Sequence, residues 1–489
     1  MKKVIIEYKM LIPAVLFILG AFLIFARDAS TSTTMTVASL QIPAAAQTAT
    51  ASGVTAIHPA AAPAQTAAAA PVSKINSGDT AWVLVATAMV MLMTVPGLAF
   101  FYCGLVRKKN VLSILMQCFT ILCILSLHWV IIGYSLAFGP DLAGKGLIGG
   151  AEWAFLEGVG LEPHNFYATT VPHQVFMIFQ CMFAVITPAL IIGAFAERIK
   201  FSSLCVFILL WATLVYDPLA HWVWSNGGFL STAGGMGVLD FAGGTVIEIN
   251  SGMASLAAAI IIGKRKGYPD KISPPHNLPF AVLGAGLLWF GWFGFNAGSA
   301  MAANSIAANA FVTTHIAGAT AAVAWAVMDI IYNKRPTVLG IITGAVAGLV
   351  AITPACGFVN LRGAIGVGLG AGVLCYPVVA FLKPKFNYDD SLDVFGVHGI
   401  GGIWGVIATG LYATTSVNET AANGLFYGNP AQFWIQCKAA VITIVFSFVV
   451  SFILLKLIDA VMGLRVTDHE ERIGLDLSEH RETAYTILE

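Results

Sequence analysis

The chain has 489 residues, 58% of them hydrophobic and only 10% charged, with a formal net charge of zero. A single soluble core cannot hide that apolar fraction, so the chain belongs in lipid. The absence of net charge argues against a nucleic-acid partner and leaves the distribution of charge along the chain as the informative quantity. The eight cysteines, Cys103, Cys118, Cys181 and Cys375 among them, lie in or beside apolar segments and form neither a disulfide framework nor a zinc spacing.

Lys2, Lys3 and Lys9 precede an apolar run from Met10 to Ala26, and an Ala/Thr/Pro-rich stretch follows. This layout predicts a signal peptide or an extra helix over residues 1–27 and a disordered tether over 28–78. A membrane domain over 79–463 and a cytoplasmic tail over 464–489 complete the organisation. A bilayer core of about 30 Å needs roughly 20 apolar residues per helix. Eleven such segments are expected, near 81–106, 110–138, 171–196, 201–224, 239–263, 277–298, 303–332, 337–356, 362–382, 390–414 and 431–463.

If the first segment enters from outside, the odd-numbered segments end in the cytoplasm. There lie Arg107, Lys108, Lys109, Arg198, Lys200, Lys264, Arg265, Lys266, Lys334, Arg335, Lys383, Lys385 and Arg465. The outer connections carry only Lys145 and Arg362. The positive-inside rule therefore predicts an all-α polytopic membrane protein of eleven transmembrane helices, N-out and C-in. Eleven divides as five plus five plus one, and an odd-numbered unit re-enters upside down, so an inverted five-plus-five repeat with a final helix is expected. Segments 5 and 10 would be partners: one opens with Asp240 and Gly243-Gly244, the other with Asp393 and Gly396, and each carries an ionisable residue further in, Glu248 and His398.

A carboxylate about two turns into an apolar segment costs several kcal/mol unless it is solvated or paired. Glu248 is therefore a candidate for function, with a hydrogen-bonded packing acid as the alternative. His398, among Gly396, Gly399, Gly401 and Gly402, reads equally well alone as a packing histidine. Together the two suggest a proton-handling element on a central pathway. Segment 3 places Phe179 and Phe183 one turn apart on one face. Segment 6 carries the aromatic run Trp289 to Phe295, and Trp222 and Trp224 end segment 4, where tryptophan is usually an interfacial anchor. Periodicity alone names no substrate.

These motifs resemble those of the ammonium transporter, methylammonium permease and Rh family. The matching stretches are Pro96-Gly97-Leu98-Ala99-Phe100-Phe101-Tyr102-Cys103-Gly104-Leu105, Asp240-Phe241-Ala242-Gly243-Gly244-Thr245-Val246, Gly291-Trp292-Phe293-Gly294-Phe295-Asn296-Ala297-Gly298-Ser299, Thr353-Pro354-Ala355-Cys356-Gly357 and Asp393-Val394-Phe395-Gly396-Val397-His398-Gly399. They occur in family order from about residue 80 onward. The resemblance implies a homotrimer in the inner (plasma) membrane, one pore per protomer, and transport of ammonium, ammonia and methylammonium without a cofactor.

It further implies that Phe179, Trp224 and Ser299 recruit the cation, that Asp240 supports that site, that Phe183 and Phe295 close the pore below it, and that Trp292 lines the lumen. Two ring faces attract a desolvating cation by roughly 0.5–2 kcal/mol each, and a serine hydroxyl can accept one N–H bond. A narrow apolar lumen passes neutral ammonia more readily than a bare ion. Potassium has no proton to give up, so deprotonation supplies selectivity.

The family's commonest pattern has two lumen histidines; here His398 matches one and Glu248 stands at the other, as an acid does in some members. A hydrogen-bonded Glu248/His398 pair that shares a proton is expected. The tail, with Leu464-Arg465-Val466 and Gly474-Leu475-Asp476, matches the family tail that packs across neighbouring protomers and communicates with a PII-type signal protein. The alternatives are an ammonium sensor that signals through such a partner with little flux, and a pore for another neutral solute such as carbon dioxide. An enzyme is not expected, since no nucleophile triad, metal cluster or phosphate loop is present.

Overall fold

A computed structural model describes residues 74–270 and 273–485. The expected signal peptide or extra helix, and the tether up to residue 73, lie outside the described residues. Among the described residues ten helices are long and apolar enough to cross a membrane: α1 (Ser77–Leu105), α2 (Val111–Phe138), α3 (His173–Phe195), α4 (Phe201–Trp224), α5 (Gly244–Ile262), α6 (Leu278–Gly298), α7 (Ser305–Asn333), α9 (Leu361–Phe386), α10 (Phe395–Tyr412) and α11 (Pro430–Met462). The shorter apolar helix α8 (Val338–Ile352) falls between α7 and α9.

Side-chain caps set many of the starts. Asn76, Asn277, Asn304, Thr337 and Asn360 each accept a first-turn amide of α1, α6, α7, α8 and α9, which supplies the partner those amides lack within the helix. Between α2 and α3 a small antiparallel pair, β1 (Pro163–His164) and β2 (Ala168–Pro172), covers one end of the bundle. Buried α3 runs through the interior, α7, α8 and α9 pack together, and α11 lies along α5 and α10.

Several expected segments begin or end differently: α1 starts at Ser77 instead of 81, α9 ends at Phe386 instead of 382 and α10 starts at Phe395 instead of 390. α8 stops at Ile352 instead of 356, because Pro354 opens a turn whose carbonyl accepts the Phe241 amide (3.1 Å) and whose ring packs on Gly244. α5 starts at Gly244 instead of 239. The Asp240 carboxylate accepts the amides of Gly243 (2.8 Å), Gly244 (2.6 Å) and Thr245 (2.8 Å), together with the Thr245 hydroxyl. Gly243 turns the chain at φ +117°, a conformation that a side chain resists. Glu248 accordingly lies in the opening turn of α5, not two turns in.

α10 repeats this construction 150 residues later. Asp390, not Asp393, is the counterpart of Asp240: its carboxylate accepts the Phe395 amide at 2.7 Å. Asp393 takes the left-handed position held by Gly243, at φ +62°. Both helices open with a π-helical turn, Gly244–Ile249 and Phe395–Gly399, and these turns carry Glu248 and His398. Their contacts are reciprocal. A Cβ on Gly252 would lie 2.2 Å from Gly399 Cα, while one on Gly402 would lie 2.8 Å from Ile249 N. The entry of α10 bonds to the end of α3 (Leu392 N to Gly193 O, 3.1 Å), as the entry of α5 bonds to the turn that ends α8. α4 and α9 match too: each has a π turn, Ala212–Tyr216 and Val378–Leu382, followed two residues on by Pro218 and Pro384. These reciprocal contacts are those of a pseudo-two-fold axis, in accord with the expected repeat; the three-residue correction to its register follows from which carboxylate caps the helix.

The basic connections gather at the end of the bundle that carries the tail. Arg198 is wholly buried there, and its five N–H groups are met by the carbonyls of Gly263 (2.9 Å), Ala196 (3.0 Å), Ala194 (3.0 Å) and Asp389 (2.6 Å) and by the Ser391 hydroxyl (2.5 Å). It joins the ends of α3 and α5 to the α9–α10 connection.

Candidate functional site

The aromatic residues expected on the pathway come together between α3, α4 and α6. Phe179 and Phe183 have ring centroids 4.8 Å apart, and Phe183 lies 4.4 Å from Phe295 at 33°, a tilted stack of two fully buried rings. Trp224 meets Phe183 edge-on at 6.2 Å. Its indole N–H donates to the Asp240 carbonyl (3.0 Å), so the residue whose carboxylate caps α5 also orients the indole through its backbone. The Ser299 hydroxyl donates to Phe295 O at 2.8 Å, which leaves its lone pairs as acceptors. Trp292 packs 5.7 Å from Phe295 and donates to the Thr353 hydroxyl (2.9 Å).

Next to the Phe183–Phe295 stack is a cavity of about 10 Å³, bounded by Phe295, Trp292, Glu248 and His398 and otherwise by aliphatic and aromatic side chains. His398 Nδ1 and Glu248 Oε2 are 2.7 Å apart, and both residues are buried. The second carboxylate oxygen, Glu248 Oε1, has no hydrogen-bond partner among the described residues. The opening turns of α5 and α10 thus bring together an acid and an imidazole 150 residues apart in an otherwise apolar passage.

A second cavity, of about 160 Å³, shares Phe101, Val346 and His398 with the first and runs toward the tail end. Arg265, Lys383 and Asp393 bound it, residues that the sequence marked only for their charge or for the α10 motif. Lys383 forms an ion pair with Asp393. Arg265 donates to Asp389 through Nε (2.9 Å) and Nη2 (2.8 Å) and reaches Glu197 at 3.4 Å. Burial alone would raise the Glu197 carboxyl, but the guanidiniums of Arg107 and Arg265 outweigh it and hold it below the usual carboxylate range. Burial and the neighbouring Asp393 push Asp390 up to about 6, against the opposing pull of Lys383. The one sequence signal for this network was the concentration of opposite charges at the segment ends.

The tail is folded onto the bundle. A short helix, α12 (Asp468–Ile473), is closed by a Thr467/Glu470 capping box. Buried Glu471 accepts the Lys266 amide (2.9 Å) and Arg465 Nη2 (2.7 Å), and Asp476 accepts the Ser113 amide (2.8 Å). Leu475 N donates to Asn110 Oδ1 at 2.8 Å, and Asn110 donates in turn to Glu197 at 3.0 Å.

Apolar helices of membrane-spanning length, packed around stacked rings and a small, largely apolar cavity that holds an acid and an imidazole, define a multi-pass membrane protein. Residues 81–485 match the family described as the Ammonium Transporter Family. The chain is 52% identical over 411 residues to the ammonium transporter of Bacillus subtilis strain 168, covering 84% of this chain and 99% of that one. Its fold is similar to Mep2 of Saccharomyces cerevisiae, at 35% identity and a TM-score of 0.74 over 81% of this chain and 89% of that one. It is also similar to a structure described as a sensor Amt protein, at 30% identity and a TM-score of 0.73 over 82% and 98%. The chain belongs to the ammonium transporter family and is a multi-pass transport protein of the cell membrane.

Proposed function

We propose that this chain carries ammonium inward by the following route. The cation is drawn to Phe179, Trp224 and Ser299, with Asp240 fixing the indole and the start of α5 behind them. It sheds water against the ring faces and passes the Phe183–Phe295 stack. In a passage of about 10 Å³, an unsolvated cation is held at high cost, whereas neutral ammonia is not. The substrate therefore gives up a proton, and the Glu248/His398 pair takes it or passes it on while the nitrogen moves past Trp292. The observation that carries this reading is the 2.7 Å contact between His398 and Glu248 on the cavity wall, in a member of this family.

The same reading includes eleven membrane spans with the amino terminus outside and the tail inside. It is supported by α8 as a short eleventh apolar helix and by the basic connections at the tail end. Methylammonium follows the same path as ammonium. A homotrimer and a PII-type signal protein at the cytoplasmic face are carried over from the resemblance, and the signal peptide and tether from the layout before residue 79. A neighbouring protomer suits the exposed imidazole of His315, which sits against Trp289 on the outer face of α7, better than lipid would. Deletion from Gly474 that left both transport and PII binding intact would remove the regulatory role of the tail.

Transport is favoured over sensing by the higher identity to a named transporter than to the sensor structure. The test is the ammonium-evoked current, against potassium, in planar-supported proteoliposomes of wild type and Glu248→Ala. A saturable ammonium current lost in the variant supports the route. No current from correctly inserted protein points to neutral conduction or sensing, which a separate ammonia-flux assay divides.

A further inference from the structure

Below His398, the larger cavity ends at the Lys383–Asp393 ion pair, whose side chains are 16% and 27% exposed. Three features of this pair bear on its role. Asp393 is not the cap of α10, a task Asp390 performs, so its carboxylate is free of the helix start. It occupies a left-handed backbone position (φ +62°) where the counterpart in α5 is glycine, and a non-glycine residue there, even aspartate, stays at a conformational cost. Finally, the group bound to it is a primary ammonium: Lys383 Nζ bonds the Asp393 carboxylate and, at 3.2 Å, the Asp390 carbonyl. Nearby Arg265 is occupied by Asp389 and Glu197 and does not compete for this carboxylate.

We propose that the Asp393 carboxylate and the Asp390 carbonyl form a second cation site, at the exit of the pathway, which the Lys383 ammonium occupies as a tethered competitor of the transported ion. The recognised class is a small ammonium cation that donates N–H bonds to both oxygens, ammonium or methylammonium. The inference rests on the transport reading above. A substrate that regains its proton beyond His398 meets this carboxylate first, and Lys383 keeps its stay short by returning to the site. A side chain fixed a few ångströms away acts at an effective concentration on the order of millimolar, so ammonium leaves readily at low internal concentration.

The test uses the full-length protein in oriented proteoliposomes and measures how internal methylammonium inhibits inward ammonium current. Lys383→Met should lower the half-inhibitory internal concentration roughly tenfold, Lys383→Arg should keep it near wild type, and Lys383→Met/Asp393→Asn should lose saturable inhibition. An unchanged value in Lys383→Met, or a lowered value that persists in the double variant, overturns the proposal. So does internal potassium inhibiting Lys383→Met as effectively as methylammonium. Should Lys383→Met fail to fold, Asp393→Asn alone decides: loss of internal inhibition supports the site, and a wild-type value refutes it. Absence of any ammonium current in wild type would instead bring down the transport reading itself.

Discussion

The close approach of α5 and α10 at Gly252 provides a sharp perturbation. A methyl on Gly252 would lie 2.2 Å from the Cα and N of Gly399 and 3.1 Å from the carbonyl carbon of His398, where ordinary contact begins at 3.4 Å. The opposing atoms are backbone, so no side chain can swing away and the helices must part by about an ångström. Overpacking of this kind costs typically 1–3 kcal/mol. The displacement falls on the turn that holds His398 at 2.7 Å from Glu248, and a loss of 1.4 kcal/mol there is tenfold in rate. Gly252→Ala should therefore lower the melting temperature in detergent and reduce the ammonium current by about tenfold or more. Gly286→Ala, on the exposed face of α6 with nothing within 4 Å of the new methyl, should be neutral or stabilising by up to about 1 kcal/mol. A Gly252→Ala protein with wild-type melting and current would refute the packing argument.

Trp224→Leu removes one ring face and should raise the half-saturating ammonium concentration by roughly 2- to 30-fold, the range that 0.5–2 kcal/mol implies; an unchanged value excludes Trp224 from cation recruitment. Glu248→His replaces a carboxylate with a second imidazole, so the pH profile of uptake should shift; superimposable profiles would exclude the acid from proton handling. The Glu197 carboxyl sits below its ordinary 4.5 in the folded protein, so its carboxylate stabilises the fold above that pH and the contribution disappears as pH falls through the depressed value. Thermal stability should drop on acidification below about pH 4.5, and Glu197→Gln should flatten that drop while costing roughly 3 kcal/mol at neutral pH. Equal acid slopes for the two proteins would exclude this linkage.

Much of the architecture was legible because the signals are local. Apolar length and end charge located the helices to within a few residues, and Asn and Thr at the starts marked several of them. The candidate residues were legible for a different reason: Glu248 and His398 are ionisable groups where lipid-facing segments tolerate none unpaired, and the aromatic motifs match the family in order. The register of the repeat was misread because Asp393 stands next to the α10 motif, as Asp240 stands before α5, yet only hydrogen bonding reveals that Asp390 is the cap.

By itself the sequence determined that the chain lies in lipid, where its helices run, which end of each is basic, and which buried groups need partners. These follow from transfer free energies and charge, which act residue by residue. Tertiary structure alone decided that Glu248 and His398 meet at 2.7 Å, that Phe183 stacks on Phe295, that Arg198 is a buried staple, and that Lys383 closes on Asp393 beside the second cavity. Each of these contacts joins groups from separate helices or the connections between them, and depends on how closely glycine lets the backbones approach, a distance that no local pattern encodes.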